Sequence, residues 1–94
     1  MQVEVRFFTV LREITGKKKE EIQLQSTITV EELLIELSTK YGKKFREYLY
    51  NEKGKVHDYL SILVNGKSTN ALQGLDTELK EGYIIAILPP VGGG

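Results

Sequence analysis

The sequence is 94 residues long, one domain's worth of chain, and its 40% apolar content suffices for a single modest core. Thirteen basic residues balance thirteen acidic ones, so no net field favours nucleic acid or an anionic membrane. Cysteine is absent, which excludes disulfides, thiolate ligands and thiol nucleophiles and fits a cytoplasmic protein. No apolar run is long enough to span a bilayer, and no signal peptide opens the sequence.

Val3, Val5 and Phe7 alternate with Gln2, Glu4 and Arg6. Period two predicts a half-buried strand over residues 2–8, with Phe8 on the face opposite Phe7. Thr9 is placed to cap a short helix over Val10–Thr15 that stops at Gly16. Lys17-Lys18-Lys19-Glu20-Glu21 reads as a solvated hairpin turn rather than a binding patch, because acidic residues follow the lysines at once. Ile22 and Leu24 alternate with Glu21, Gln23 and Gln25, giving a second strand antiparallel to the first.

Thr29 and Glu32 have the spacing of a capping box. Val30, Leu33, Leu34, Leu37 and Tyr41 follow at helical intervals, and Gly42 ends the run. This is the main helix, over residues 30–41, with one apolar face. Phe45, Tyr48 and Leu49 begin a further segment, closed by the turn signal Asn51-Glu52-Lys53-Gly54. His57 is the only histidine and has no partner for a metal site, so it is expected to be a loop residue. Ile62 and Val64 alternate with Ser61 and Leu63, and Asn65-Gly66 supplies the two positive-φ positions of a type I′ hairpin. Leu72, Leu75 and Leu79 punctuate a loop with little regular pattern. Glu81-Gly82 then turns the chain into a last strand, Tyr83–Leu88, whose apolar run predicts a central position.

These elements define an α+β chain: a mixed sheet of about five strands with one main helix across one face. Val3, Val5, Phe7, Ile62, Val64, Ile85 and Ile87 are assigned to the face that meets the helix. Phe8, Leu63, Ala86 and Leu88 are left on the open face, near the end of the last strand. An apolar cluster rimmed by charge marks a partner site, and these four residues are the candidate anchors.

The last strand runs into Pro89-Pro90-Val91-Gly92-Gly93-Gly94. The prolines cannot donate ladder bonds, so the strand ends there and the chain leaves in an extended form. Val91 is a single apolar anchor. Gly92, Gly93 and Gly94 carry no β-carbons and suit a tunnel too narrow for other residues. From Pro89 the extended segment spans up to roughly 20 Å, enough to reach a buried site in another protein. The division expected is a body over residues 1–88 and a flexible tail over 89–94. The reactive group is then the α-carboxylate of Gly94, with Gly93 beside it, and Pro89, Pro90, Val91 and Gly92 line the partner's channel.

With the first and last strands side by side in parallel, the arrangement is the β-grasp, the ubiquitin-like fold. Phe7-Phe8-Thr9-Val10-Leu11-Arg12-Glu13-Ile14-Thr15-Gly16 resembles the opening of the small subunit of molybdopterin synthase (MoaD). Val64-Asn65-Gly66, Leu75-Asp76 and Leu79-Lys80-Glu81-Gly82 look like its middle signatures, and Pro89-Pro90-Val91-Gly92-Gly93-Gly94 like its tail. The stretch from Phe45 to Tyr59 is similar to the longer archaeal and thermophile forms, some of which are small modifier proteins. Gly92 departs from the Ser, Thr or Ala often found there.

The resemblance implies sulfur carriage. A ubiquitin-activating-like adenylyltransferase, which supplies the ATP and Mg²⁺ site, adenylates the terminal glycine. Sulfur replaces AMP to give a thiocarboxylate, and the large subunit of molybdopterin synthase accepts it for the pterin of the molybdenum or tungsten cofactor. On this view the chain binds no cofactor of its own and carries no active site. A second reading is a protein modifier joined through Gly94 to lysines of target proteins. A thiamin-type (ThiS-like) sulfur carrier ranks lower, because those chains are shorter and lack the Pro-Pro-Val approach. A β-grasp binding module with an inert tail is the remaining alternative.

Overall fold

The computed structural model describes residues 1–90, so the expectations for Val91, Gly92, Gly93 and Gly94 lie outside the described residues. The first strand, β1, spans Gln2–Phe7 and buries Val3, Val5 and Phe7 in strict alternation. A short helix, α1, covers Val10–Thr15 and ends at Gly16, whose φ of 76° lets its N–H donate back to the Arg12 carbonyl. The second strand, β2, spans Lys19–Gln23 and runs antiparallel to β1. A two-residue strand β3, Ile28–Thr29, leads into the main helix α2, Val30–Tyr41. Helix α3, Lys43–Leu49, follows at once.

The second half supplies β4 (Ser61–Val64), β5 (Lys67–Ser68), two single-turn 3₁₀ segments (Thr69–Ala71 and Gly74–Asp76), β6 (Glu78–Leu79) and β7 (Ile84–Leu88). The five-stranded sheet has the order β2-β1-β7-β4-β5, and β3 pairs with β6 in a separate small ladder. The central pair, β1 and β7, is parallel, with Val5 opposite Ile85 and Phe7 opposite Ile87. This is the β-grasp architecture.

The capping box is complete. The Glu32 N–H donates to Thr29 Oγ1, and the Thr29 N–H donates to Glu32 Oε1 at 3.0 Å. Helix α2 lays Val30, Leu33, Leu34 and Leu37 on the sheet face formed by Val3, Val5, Phe7, Ile62, Val64, Ile85 and Ile87, all of them buried. Tyr41, Phe45 and Phe7 make an aromatic cluster at the C-terminal end of α2, with Tyr41 stacked on Phe45 at 5.5 Å and Phe7 edge-on to both. Asn65 and Gly66 take φ of 51° and 83°, as a two-residue I′ hairpin requires. Asn65 Oδ1 also accepts from the Ile84 N–H at 2.9 Å, tying this turn to β7.

Three local expectations are corrected. Thr9 does not cap α1: at φ 45°, ψ −114° it makes the sharp turn out of β1, and its side chain forms no capping bond. Lys19, Glu20 and Glu21 are strand rather than turn, because their pairing with Arg6, Val5 and Glu4 outweighs the charge run's preference for solvent. The stretch around Leu72, Leu75 and Leu79 is two 3₁₀ turns and β6, in which Leu79 pairs with Ile28 and is fully buried.

Candidate functional site

The site is built at the end of β7. Ile85 and Ile87 point into the core, so period two sends Ile84, Ala86 and Leu88 to the open face. Register then sets their neighbours. Ala86 lies between Arg6 of β1 and Leu63 of β4, and Leu88 lies opposite Ser61. Phe8 follows Phe7 as Leu88 follows Ile87, so the two arrive at the same level of the sheet. The structure therefore brings Leu63, Ala86 and Leu88 onto one face, with Phe8, one residue beyond β1, lining a hollow beside Arg6 of that face, and each of the four is half-buried. Pro89 is half-buried and Pro90 exposed, which puts the departure of the tail at the rim of this face.

One side of the face is basic. A hollow of about 330 Å³ is lined by Arg6, Phe8, Arg12, Lys18 and Lys19. The Arg12 guanidinium sits 5.2 Å over the Phe8 ring, and its Nε–H donates to the Phe7 carbonyl at 2.9 Å. Arg6 is held by Glu4, whose carboxyl is lowered by that hydrogen bond first and by the charges of Arg6 and Lys19. Sequence reasoning missed this rim because it read Lys18 and Lys19 as a solvated turn. The signal available was the antiparallel register, which sets Lys19 beside Arg6.

On the helix side, Glu20 anchors the C-terminal end of α2 to β2. Its carboxylate accepts from Lys40 Nζ and from the Tyr41 hydroxyl and lies 3.6 Å from Lys17 Nζ. Burial works to raise the Glu20 carboxyl, but the bonds from Lys40 and Tyr41 and the lysine charges leave it lowered. The Tyr41 hydroxyl is pushed up, by burial first and then by the bond and charge of Glu20.

His57 is a loop residue, stacked on Tyr59 at 4.5 Å. No helix among the described residues is long and apolar enough to cross a membrane.

A ubiquitin-like body whose central strand is followed in sequence by Pro-Pro-Val-Gly-Gly-Gly places the chain in the class of ubiquitin-like carrier and small modifier proteins. The ThiS family model matches residues 5–94, and the chain belongs to the ThiS family. It is 32% identical to small archaeal modifier protein 3 of Haloferax volcanii over 94 residues, the whole of both chains. It is 33% identical to the sulfur carrier protein CysO of Mycobacterium tuberculosis over 95 aligned positions, again the whole of both. A Pyrococcus furiosus protein provisionally described as molybdopterin converting factor subunit 1 superimposes with a TM-score of 0.73 at 32% identity, covering 97% of this chain and 99% of that one.

Proposed function

We propose that the protein carries sulfur on Gly94 and donates it for molybdopterin synthesis as the small subunit of the synthase. The observation that carries this reading is the course of β7, which runs through the centre of the sheet and delivers Pro89 at the rim of the Phe8–Leu88 face. A carboxylate is a poor acyl donor. Attack of a Gly94 carboxylate oxygen on the α-phosphorus of ATP expels pyrophosphate and leaves an acyl adenylate. Hydrosulfide then attacks the acyl carbon, the C–O bond to AMP breaks with AMP leaving, and loss of the S–H proton gives the thiocarboxylate. ATP and Mg²⁺ belong to the activating adenylyltransferase, and the large synthase subunit takes the sulfur.

In this account both partners grip the same face. Phe8, Leu63, Ala86 and Leu88 form the apolar centre, and Arg6, Arg12, Lys18 and Lys19 form a basic rim that meets acidic groups. Pro89, Pro90, Val91 and Gly92 lead the tail into the channel, where Gly93 and Gly94 reach the chemistry.

A second reading, conjugation through Gly94 to target lysines, is favoured by the full-length similarity to small archaeal modifier protein 3. It uses the same adenylate, with a lysine amine in place of the sulfur nucleophile.

The test is ATP–pyrophosphate exchange by the activating enzyme. Exchange is expected with the full chain and not with a Gly94-deleted chain or one extended by an alanine. Exchange with either altered chain would overturn the assignment of Gly94.

A further inference from the structure

The hollow beside Phe8 concentrates one sign of charge. Arg6, Arg12, Lys18 and Lys19 line it around the Phe8 ring, and its lining includes no acidic side chain. All four cations are exposed. Arg6 is held by Glu4 at 2.6 Å, whereas Arg12, Lys18 and Lys19 form no salt bridge among the described residues. On the same face Glu4 and Glu21 stand opposite each other, further down the ladder than Arg6 and Lys19, and Glu13 lines a different hollow with Lys44. The four cations therefore outnumber the two acids of this face.

Arg12 is also fixed in place. Its Nε–H donates to the Phe7 carbonyl and its guanidinium lies over the Phe8 ring. That leaves its Nη donors to a carboxylate at little further ordering cost.

The chain's own end can reach this hollow. Phe7 is level with Ile87 in register, so the hollow opens close to the level at which Pro89 leaves β7. β1 alone separates β7 from β2, which puts about 10 Å between them. Beyond Pro90, the last described residue, four residues remain, and they span up to about 14 Å. They end on the α-carboxylate of Gly94, an anion.

We propose that the Gly94 α-carboxylate docks in this hollow of its own chain, across Arg12, Lys18 and Lys19, with Val91 against Phe8. The proposal rests on the reading of Gly94 as the reacting end. Docked, the tail covers part of the surface that both partners grip and withholds its carboxylate from the activating enzyme. Acidic groups of a partner take over the same cations and release it, so partner docking and tail release are one event. An exposed ion pair is weak, but the covalent link supplies the carboxylate at an effective concentration on the order of millimolar. The contact is thus populated and easily displaced.

The test compares the ¹⁵N-labelled full chain with the same chain carrying a C-terminal amide on Gly94, which removes the charge at unchanged length. The amides of Phe8, Arg12, Lys18 and Lys19 are expected to differ in shift between the two forms, equally at all protein concentrations, and to converge as salt is raised. Lys18→Gln together with Lys19→Gln is expected to abolish most of the difference with the rest of the spectrum preserved, since both side chains are exposed. The proposal is overturned if the two forms are identical at these amides, if they differ elsewhere on the body instead, or if the double variant leaves the difference intact. Differences that grow with protein concentration would assign the hollow to the tail of a second copy and overturn it too. No enzyme takes part, so identical spectra beside normal pyrophosphate exchange would remove the docked contact and leave the assignment of Gly94 standing.

Discussion

Phe7 and Ile87 stand opposite each other in parallel register at the centre of the sheet, both buried, and the chain reaches Pro89 two residues beyond Ile87. The direction in which the chain enters Pro89 is therefore set by core packing. Ile87→Ala leaves a cavity among the residues that hold that direction and is expected to cost about 3 kcal/mol. The check is the midpoint of chemical denaturation, which should fall with an unchanged slope.

Phe8→Ala and Leu88→Ala act on the other face. Both side chains are half-buried, so the fold should persist with a small loss of stability. Association with the activating enzyme should weaken by about 2 kcal/mol for each, the loss typical of a central anchor. Calorimetric titration measures it, with circular dichroism as the control for folding.

Glu20 and Tyr41 give the stability a pH dependence at both ends. The Glu20 carboxyl is lowered in the fold, so the unfolded chain binds more protons across the carboxylate range. Its contribution is present at neutral pH and is lost as the pH falls through that range to the lowered value. Tyr41 is raised, so its contribution is present below the ordinary tyrosine range and is lost as the pH climbs above it. Glu20→Gln should flatten the acid limb of melting temperature against pH, and Tyr41→Phe the alkaline limb.

Thr29→Ala removes the side chain that receives the Glu32 N–H and should cost about 1 kcal/mol, measured by urea denaturation. Serine at the same position should restore most of it.

The long-range plan was legible wherever one residue type enforces one geometry. Alternation over Gln2–Phe7, the Thr29–Glu32 spacing and Asn65-Gly66 each favour one local structure, whereas the parallel pairing of the first and last strands was a condition of the fold expected from the sequence and is seen in the ladder of Val5 with Ile85 and Phe7 with Ile87. Elements held by tertiary contact were harder to read. Helix α3 has no side-chain cap and is fixed by Phe45 and Leu49 in the core. β6 is two residues long and exists because Leu79 meets Ile28. At the candidate site, the apolar centre followed from period two along β7. The basic rim did not, because Lys19 meets Arg6 only through strand register.

The most direct measurement of the central claim is intact mass spectrometry of the full chain after incubation with its activating enzyme, ATP and a sulfur donor. The account predicts a gain equal to exchange of one oxygen for sulfur, located in the C-terminal fragment and absent from a Gly94-deleted chain. An unchanged mass with an active enzyme, or sulfur found elsewhere in the chain, would contradict it.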